Sequence, residues 1–577
     1  MIMRMLQIVL KQKAMQRFNF RWIVVCLLMA AVLVTGCAMK ELAKAEKAPF
    51  TPITQIPEPP PMFESKMAFV GSMPAAAPMP PRQPSSPADF NTEGYDRVNE
   101  NPFLDVLKNP LSTFSIDVDT ASYTNVRRFI NSGNLPPPDA VRIEELINYF
   151  TYDYPQPIDG APFSFTTELT DAPWKSGNRL LLVGLQGLKI PVDKLPPANL
   201  VFLIDVSGSM DQENKLPLLV KSFKLLVGQL RPQDRVAIVV YAGQAGLVLP
   251  STSGAEKYKI LSALDSLQAG GSTAGGQGIQ LAYQVARENY IKHGNNRVIL
   301  ATDGDFNVGA SSDADMERLI EEKRKDGVFL SVLGYGMGNY KDSKMQKLAD
   351  RGNGNYAYID TLLEAKKVLL SQFGGTLMTI AKDVKLQVEF NPAKVKSYRL
   401  IGYEKRMLRA EDFTDDRKDA GELGSGHTVT ALYEIVPADS VSPDTRELTY
   451  QTTQVKDSAR TSTELATIRF RYKKPQEDTS SELVRKIPAD ANTLNNAGNN
   501  ISFAAAVAEW GMLLRNSEHK GSANFTRILE MARKAKGTDV GGYRAEFIRL
   551  VEMSELLDEQ LKSSMKATPV YEERITK

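Results

Sequence analysis

Four apolar runs, Leu200 to Ile204, Val236 to Tyr241, Val298 to Ala301 and Val328 to Leu333, the last broken by Ser331, punctuate the middle of the chain and are rich in β-branched residues. Strands covered on both faces read this way, because neither side of the pleat meets water. Between them apolar residues return every three to four positions. Leu219, Phe223, Leu226 and Leu230 form one such stripe, and further helices are predicted over 255–267, 278–290, 314–325, 343–350 and 362–377. Strand alternating with helix over 197–380 predicts an α/β domain: a doubly wound, Rossmann-like parallel sheet with helices on both faces.

The rhythm differs on either side. Over 101–196 an alternating piece, Phe114-Ser115-Ile116-Asp117-Val118, precedes a helical stripe of Tyr123, Val126, Phe129 and Ile130. The break Pro136-Pro137-Pro138, a second helical stretch from Val141 to Phe150, and strands over Phe163 to Leu169 and Leu180 to Leu185 follow. A small α+β N-terminal domain is expected there. Over 381–577, strands with polar connections (Val384 to Phe390, Val429 to Val436, Ala466 to Tyr472) give way to helix-spaced Phe525, Ile528, Leu529 and Ala532, then Phe547, Leu550 and Val551. That pattern predicts a C-terminal region that is antiparallel β-rich and then helical.

Residues 1–36 carry Arg4, Lys11, Lys13, Arg17 and Arg21 and no acidic residue, with thirteen apolar residues from Trp22 to Val34. A basic start and a short apolar run mark a signal peptide. A spanning helix needs about 20 apolar residues, so this run is too short to stay in a bilayer. The junction Val34-Thr35-Gly36-Cys37 resembles the lipobox of bacterial lipoproteins. That resemblance implies lipidation of Cys37 as the first mature residue, and Ala38 at the next position implies the outer membrane of a two-membrane bacterium, with the protein facing the periplasm or the surface. An ordinary export signal with a chance Cys is the plainer alternative. Either Met1 or Met15 could begin the chain, since a complete signal follows each. Residues 37–100 read as a lipid-anchored, Pro-rich tether: twelve of the 33 prolines fall within 48–87. At about 3.1 Å per residue, such a stretch reaches on the order of 100 Å.

Composition narrows the partners. A chain of 577 residues with 42% hydrophobic and 24% charged residues is too long for one core, and it is neither collagenous, disordered nor polytopic. Its net charge of +2 becomes −3 once the five basic residues of the signal are removed. No basic excess exists to hold a phosphate backbone, so no nucleic acid partner is expected. Two cysteines, Cys26 and Cys37, and three scattered histidines, His293, His427 and His519, supply neither a disulfide framework nor a Cys/His zinc site.

In a doubly wound sheet, ligands bind at the carboxyl ends of the strands. Asp205-Val206-Ser207-Gly208-Ser209 follows the first central strand, Thr302-Asp303-Gly304-Asp305 follows the run Val298 to Ala301, and the glycine-rich loop Gly270-Gly271-Ser272-Thr273-Ala274-Gly275-Gly276 lies between them. Asp205, Ser207, Ser209, Thr273 and Asp303 offer only oxygen, the donor type that hard divalent cations take. Two carboxylates leave such an ion incompletely neutralised, which favours an anionic Asp or Glu side chain from a partner protein in the open position.

DxSxS after a first strand, a lone Thr in a glycine-rich loop and a later TDG together resemble the metal-ion-dependent adhesion site (MIDAS) of von Willebrand factor type A (VWA) domains. The flanks resemble the companion domains of bacterial YfbK-type lipoproteins. The resemblance implies a VWA fold binding a divalent cation, Mg²⁺ first and Mn²⁺ or Ca²⁺ as alternatives. Asp205, Ser207 and Ser209 would then bind the ion directly or through water, Thr273 directly when ligand is present, and Asp303 from the second shell.

Asp and Ser also favour turns and helix caps, so DxSxS alone is ambiguous, and Thr273 and the Asp303 loop are what favour the cation. A purely structural ion in an assembly scaffold is the alternative function. No catalytic residue is expected: the glycine loop lacks the Lys-Ser/Thr of a P-loop, no GxSxG elbow occurs, and Asp117 in Asp117-Val118-Asp119-Thr120 matches a phosphoryl-transfer nucleophile only faintly. Asp119 or Thr120 is expected to cap the helix that follows.

Overall fold

The sequence places its strands in three groups, and their pairing decides the architecture. The computed structural model describes residues 93–567 except 117–118, 159, 272–274, 305–312, 339, 372–378, 419, 441–453, 476, 478 and 491–493. The expected signal peptide, residues 37–92 of the expected tether with Cys37, and Asp117, Thr273 and Asp305 lie outside the described residues; the last part of that tether, 93–100, is instead packed on the fold, with Glu93 paired with Arg128 at 2.8 Å and the Gly94 N–H donating to Tyr340 O at 3.1 Å.

Residues 93–196 form β1 (Leu104–Asp105), β2 (Leu111–Ser115), α1 (Ala121–Asn131), α2 (Ile143–Asn148), β3 (Phe163–Asp171) and β4 (Arg179–Gly187). The central segment continues with β5 (Ala198–Asp205), α3 (Leu216–Gln229), β6 (Arg235–Tyr241), β7 (Ala245–Ser253), α4 (Lys257–Asp265) and α5 (Gly275–Glu288). Then come β8 (Asn295–Thr302), α6 (Asp313–Lys325), β9 (Val328–Gly334), α7 (Asp342–Arg351), β10 (Tyr356–Tyr358) and α8 (Leu362–Lys366). The last segment holds β11 (Thr379–Phe390), β12 (Val395–Ile401), β13 (Met407–Leu408), β14 (Gly421–Gly424), β15 (Thr428–Pro437), β16 (Glu464–Lys473) and β17 (Ser480–Pro488). It ends in α9 (Asn499–Arg515), α10 (Phe525–Lys534) and α11 (Tyr543–Ala567).

The central sheet runs β10-β9-β8-β5-β6-β7, parallel except for β7, which pairs antiparallel with β6 at one edge. Successive residues of β5 face opposite layers, as the pleat requires. Leu200, Phe202 and Ile204 pack with Leu219, Phe223 and Leu226 of α3 and Ile260 of α4, whereas Val201 and Leu203 pack with Ile279 and Ala282 of α5 and Met345 of α7. This is the expected doubly wound sheet. The helix expected over 362–377 is instead the short α8 followed by a π-helical turn, Lys367–Ser371.

The flanks differ from two free-standing domains at 101–196 and 381–577. Their composition is as expected, α+β on one side and β then helix on the other, but their strands pair with one another. One sheet runs β1-β12-β15-β4-β3 and the other β13-β2-β11-β16-β17, so each mixes strands from before and after the central domain. Alternation along β4 divides its two faces: Leu181, Val183 and Leu185 meet Leu386 and Val388 of β11 between the sheets, while Leu180 and Leu182 meet Ala504, Ala508 and Trp510 of α9. Helices α1 and α2 join the same helical layer through Tyr123, Ile143 and Leu146.

Candidate functional site

The carboxyl ends of β5 and β8 carry the expected acidic residues. Parallel pairing sets Ile204 beside Ala301 and Asp205 beside Tyr241, so Asp205, Tyr241 and Thr302 close the ends of three adjacent strands. Asp205 is fully buried. Its Oδ1 accepts the Ser207 N–H at 2.9 Å, and its Oδ2 accepts the hydroxyls of Tyr241 and Thr302, each at 3.1 Å. Burial pushes the Asp205 carboxyl up, hydrogen bonds from Ser207 pull it down, and the neighbouring Asp303 charge adds to the rise.

The chain then turns so that Ser207 Oγ and Ser209 Oγ lie 3.1 Å apart. The Gly208 N–H donates to Gly271 O at 3.0 Å, and the Gly270 N–H to Val206 O at 2.8 Å. These two bonds hold the DxSxS turn against the glycine-rich loop. Gly208, Ser209, Gly270 and Gly271 are exposed, so this rim opens to solvent. The site's second carboxylate, Asp303, is buried and accepts the Lys215 ammonium at 2.9 Å.

Two glycines are required by geometry. Gly304 has φ +95, a conformation that side chains disfavour, and a Cβ there would fall 2.8 Å from Lys341 N. On α5, a Cβ at Gly278 would fall 2.8 Å from Tyr241 Cβ, so glycine lets the helix approach the tyrosine that donates to Asp205.

Asp205, Ser207, Ser209 and Asp303 thus gather at one end of the sheet, while Thr273 lies outside the described residues. Among the described residues no three His, Cys, Asp or Glu side chains converge as a metal set; the donors here are two carboxylates and hydroxyls. Their chemistry fits a hard cation, because Asp205 is a buried carboxylate that among the described residues is bonded to neutral donors, a state that costs free energy unless positive charge is supplied. Sequence reasoning missed Tyr241, Thr302 as a donor to Asp205, and Lys215. Tyr241 carried a signal, since it ends the strand that would lie beside β5. Lys215 carried none.

Thr120 stands at the N-cap of α1 with no side-chain capping hydrogen bond, and Asp119 is engaged elsewhere. It accepts the Tyr356 N–H at 2.9 Å, and the Ser122 N–H in the first turn donates instead to Glu145 Oε2 at 2.8 Å. Among the described residues no helix is long and apolar enough to cross a membrane.

Fold and sequence together define a protein built on a VWA domain: the family model "von Willebrand factor type A domain" matches residues 199–372, and "von Willebrand factor" matches residues 89–182. "Uncharacterized protein YfbK, C-terminal" matches residues 375–557. YfbK of Escherichia coli (strain K12) is 48% identical over 476 residues, covering 81% of this chain and 82% of the relative. The chain belongs to the YfbK family. A shorter similarity links it to protein sll0103 of Synechocystis, 27% identical over 200 residues, covering 34% of this chain and 45% of the relative. Among solved structures, a von Willebrand factor type A protein from Catenulispora acidiphila aligns over 68% of this chain and 91% of its own at 14% identity, with a TM-score of 0.37.

Proposed function

We propose that this protein is a lipid-anchored binding protein of the bacterial cell envelope, held at Cys37 in the outer membrane. In this reading the VWA domain grips an acidic side chain of a protein partner through a divalent cation, Mg²⁺ first. It is a binding module and not an enzyme. The observation that carries it is Asp205, buried and bonded among the described residues to neutral donors, with the buried Ser207 hydroxyl 3.1 Å from that of the exposed Ser209. Asp205, Ser207 and Ser209 would hold the ion, with Thr273 and Asp303 completing the set. Bound there, the cation would supply a positive charge with an open coordination position for a carboxylate. Tyr241 and Thr302 fix the Asp205 carboxylate, and the Gly208–Gly271 backbone bond holds the serine turn toward solvent.

The test is capture of partners from envelope extracts with Mg²⁺ or with EDTA, using wild type and Asp205→Ala. Recovery only by wild type in Mg²⁺ is expected. Equal recovery in all arms, with chelation lowering only the melting temperature, would leave a scaffold with a structural ion. For the anchor, Cys37→Ser is expected to abolish fatty-acid labelling and release the protein from membranes; an unchanged membrane fraction would remove the lipid anchor.

A further inference from the structure

A cavity of about 560 Å³ opens far from the DxSxS turn, where the start of β8, the loop before β10 and the π-helical turn face β14 and β15. Two of its lining residues are buried cations. Arg297, the third residue of β8, is 4% exposed; its Nη1 donates to Ser331 Oγ at 2.7 Å, and its Nε has no partner among the described residues. Lys367, in the π-helical turn, is 4% exposed; it donates to Tyr149 O and lies over the Tyr149 ring. Neither makes an ion pair with a carboxylate among the described residues. Burial holds the Arg297 guanidinium down at about 10 and the Lys367 ammonium well below its ordinary range.

Carboxylates act on both cations without forming an ion pair, Glu422 on Arg297 and Glu364 and Glu546 on Lys367. Glu422 lines the same cavity, but its carboxylate oxygens accept from Asn353 Nδ2 at 3.1 Å and Thr379 Oγ1 at 2.7 Å. Asp350 is paired with Arg406 at 2.9 Å, and Asp119 is engaged by Tyr356 N and by Arg406. Burial pushes the His427 imidazole toward its neutral form. Phe150, Val368 and Tyr543 add apolar and aromatic wall. A buried guanidinium N–H left without an acceptor, as at Arg297 Nε, is costly, and a cavity of this size matches small-molecule sites.

We propose that this cavity is a second binding site, separate from the adhesion turn, for a small organic anion: a carboxylate or phosphate on an apolar body, held by Arg297 and Lys367. Removing either cation weakens the anion without removing a structural ion pair.

Calorimetric titration of the full chain with phenyl phosphate, benzoate and the neutral benzamide tests it. At least one anion is expected to bind at one site, tenfold or more tighter than benzamide, and the stronger of the two identifies the headgroup. Arg297→Met and Lys367→Met are each expected to weaken it at least tenfold, while Asp205→Ala leaves it unchanged. That last arm separates this site from the adhesion reading. Ser371→Trp, which narrows the cavity from an exposed position, is expected to abolish binding even if a cation variant fails to fold. No anion binding, equal affinity for benzamide, or undiminished binding in Ser371→Trp would overturn the proposal.

Discussion

The Lys215 ammonium lies 2.9 Å from Asp303 Oδ2, with both side chains buried beneath the DxSxS turn. One of the site's two carboxylates is therefore already neutralised by the protein, whereas Asp205 is not. A cation at the site would face an effective charge near −1 from the protein, which keeps it electrophilic toward an incoming carboxylate.

Removing that lysine exposes the balance. Lys215→Met removes the cation paired with the buried Asp303 carboxylate, so the protein in EDTA is expected to lose about 3–5 kcal/mol. Excess Mg²⁺ should recover more of this stability in the variant than in wild type, read as the Mg²⁺-dependent shift in melting temperature. Equal shifts in both proteins would place Asp303 outside the ion's reach.

Arg127 ties three segments together. From α1 it reaches Asp360 through Nε at 2.8 Å, Glu364 of α8 at 2.8 Å and Glu546 of α11 at 3.1 Å. Arg127→Met strands Asp360 and Glu364 in the interior, and a loss of about 3–5 kcal/mol in urea unfolding is expected. A loss below about 1 kcal/mol, the scale of an exposed pair, would mean that solvent reaches the cluster.

Glu144 of α2 is buried, and its Oε2 has no hydrogen-bond partner. Burial pushes its carboxyl up to about 7, with Glu404 and Glu145 adding to the rise and Arg515 opposing it. A carboxyl raised in the folded state is stabilising while neutral: the contribution is full below about 4.5 and is lost as pH rises through about 7. Glu144→Gln should therefore gain on wild type between pH 5 and pH 8, by about 3 kcal/mol at most. Urea midpoints at the two pH values read it, and a gap that does not widen would contradict the assignment.

The interleaved sheets predict which fragments fold. Residues 195–372 contain the whole central sheet and nearly all of both its cores, and should melt cooperatively when expressed alone. Residues 375–567 alone lack β2 beside β11 and β4 beside β15, which leaves long apolar edges unpaired. They should precipitate, and co-expression with residues 87–196 should rescue them. A soluble, cooperatively melting 375–567 monomer would refute the joint module.

Much of the central domain was legible. Strands β5, β6, β8 and β9 are covered on both faces, so burial wrote itself into apolar runs broken only by Ser331 of β9. The same logic hid β7, an edge strand that leaves Leu247 and Val248 exposed, and β17, another edge strand with Val484 exposed. The 3.6-residue period over 362–377 carried on through Lys367, but period does not register that its ammonium is folded under Tyr149, nor that the turn there is π-helical.

At the site, the order of Asp205, Ser207, Ser209 and Asp303 followed from motif spacing and strand prediction, because carboxyl ends of neighbouring parallel strands must converge. Lys215 on Asp303, Arg127 on Asp360 and Glu364, and Arg297 beside an open cavity were decided only in three dimensions. The sequence by itself determined which positions avoid water and how each segment repeats, since burial acts locally through the helical and strand periods. It did not determine which surface covers which: β2 pairs with β11, whose Leu386 lies beside Phe114, and buried charges find partners hundreds of residues away. Those choices depend on the joint packing of the whole chain, and local pattern holds no record of them.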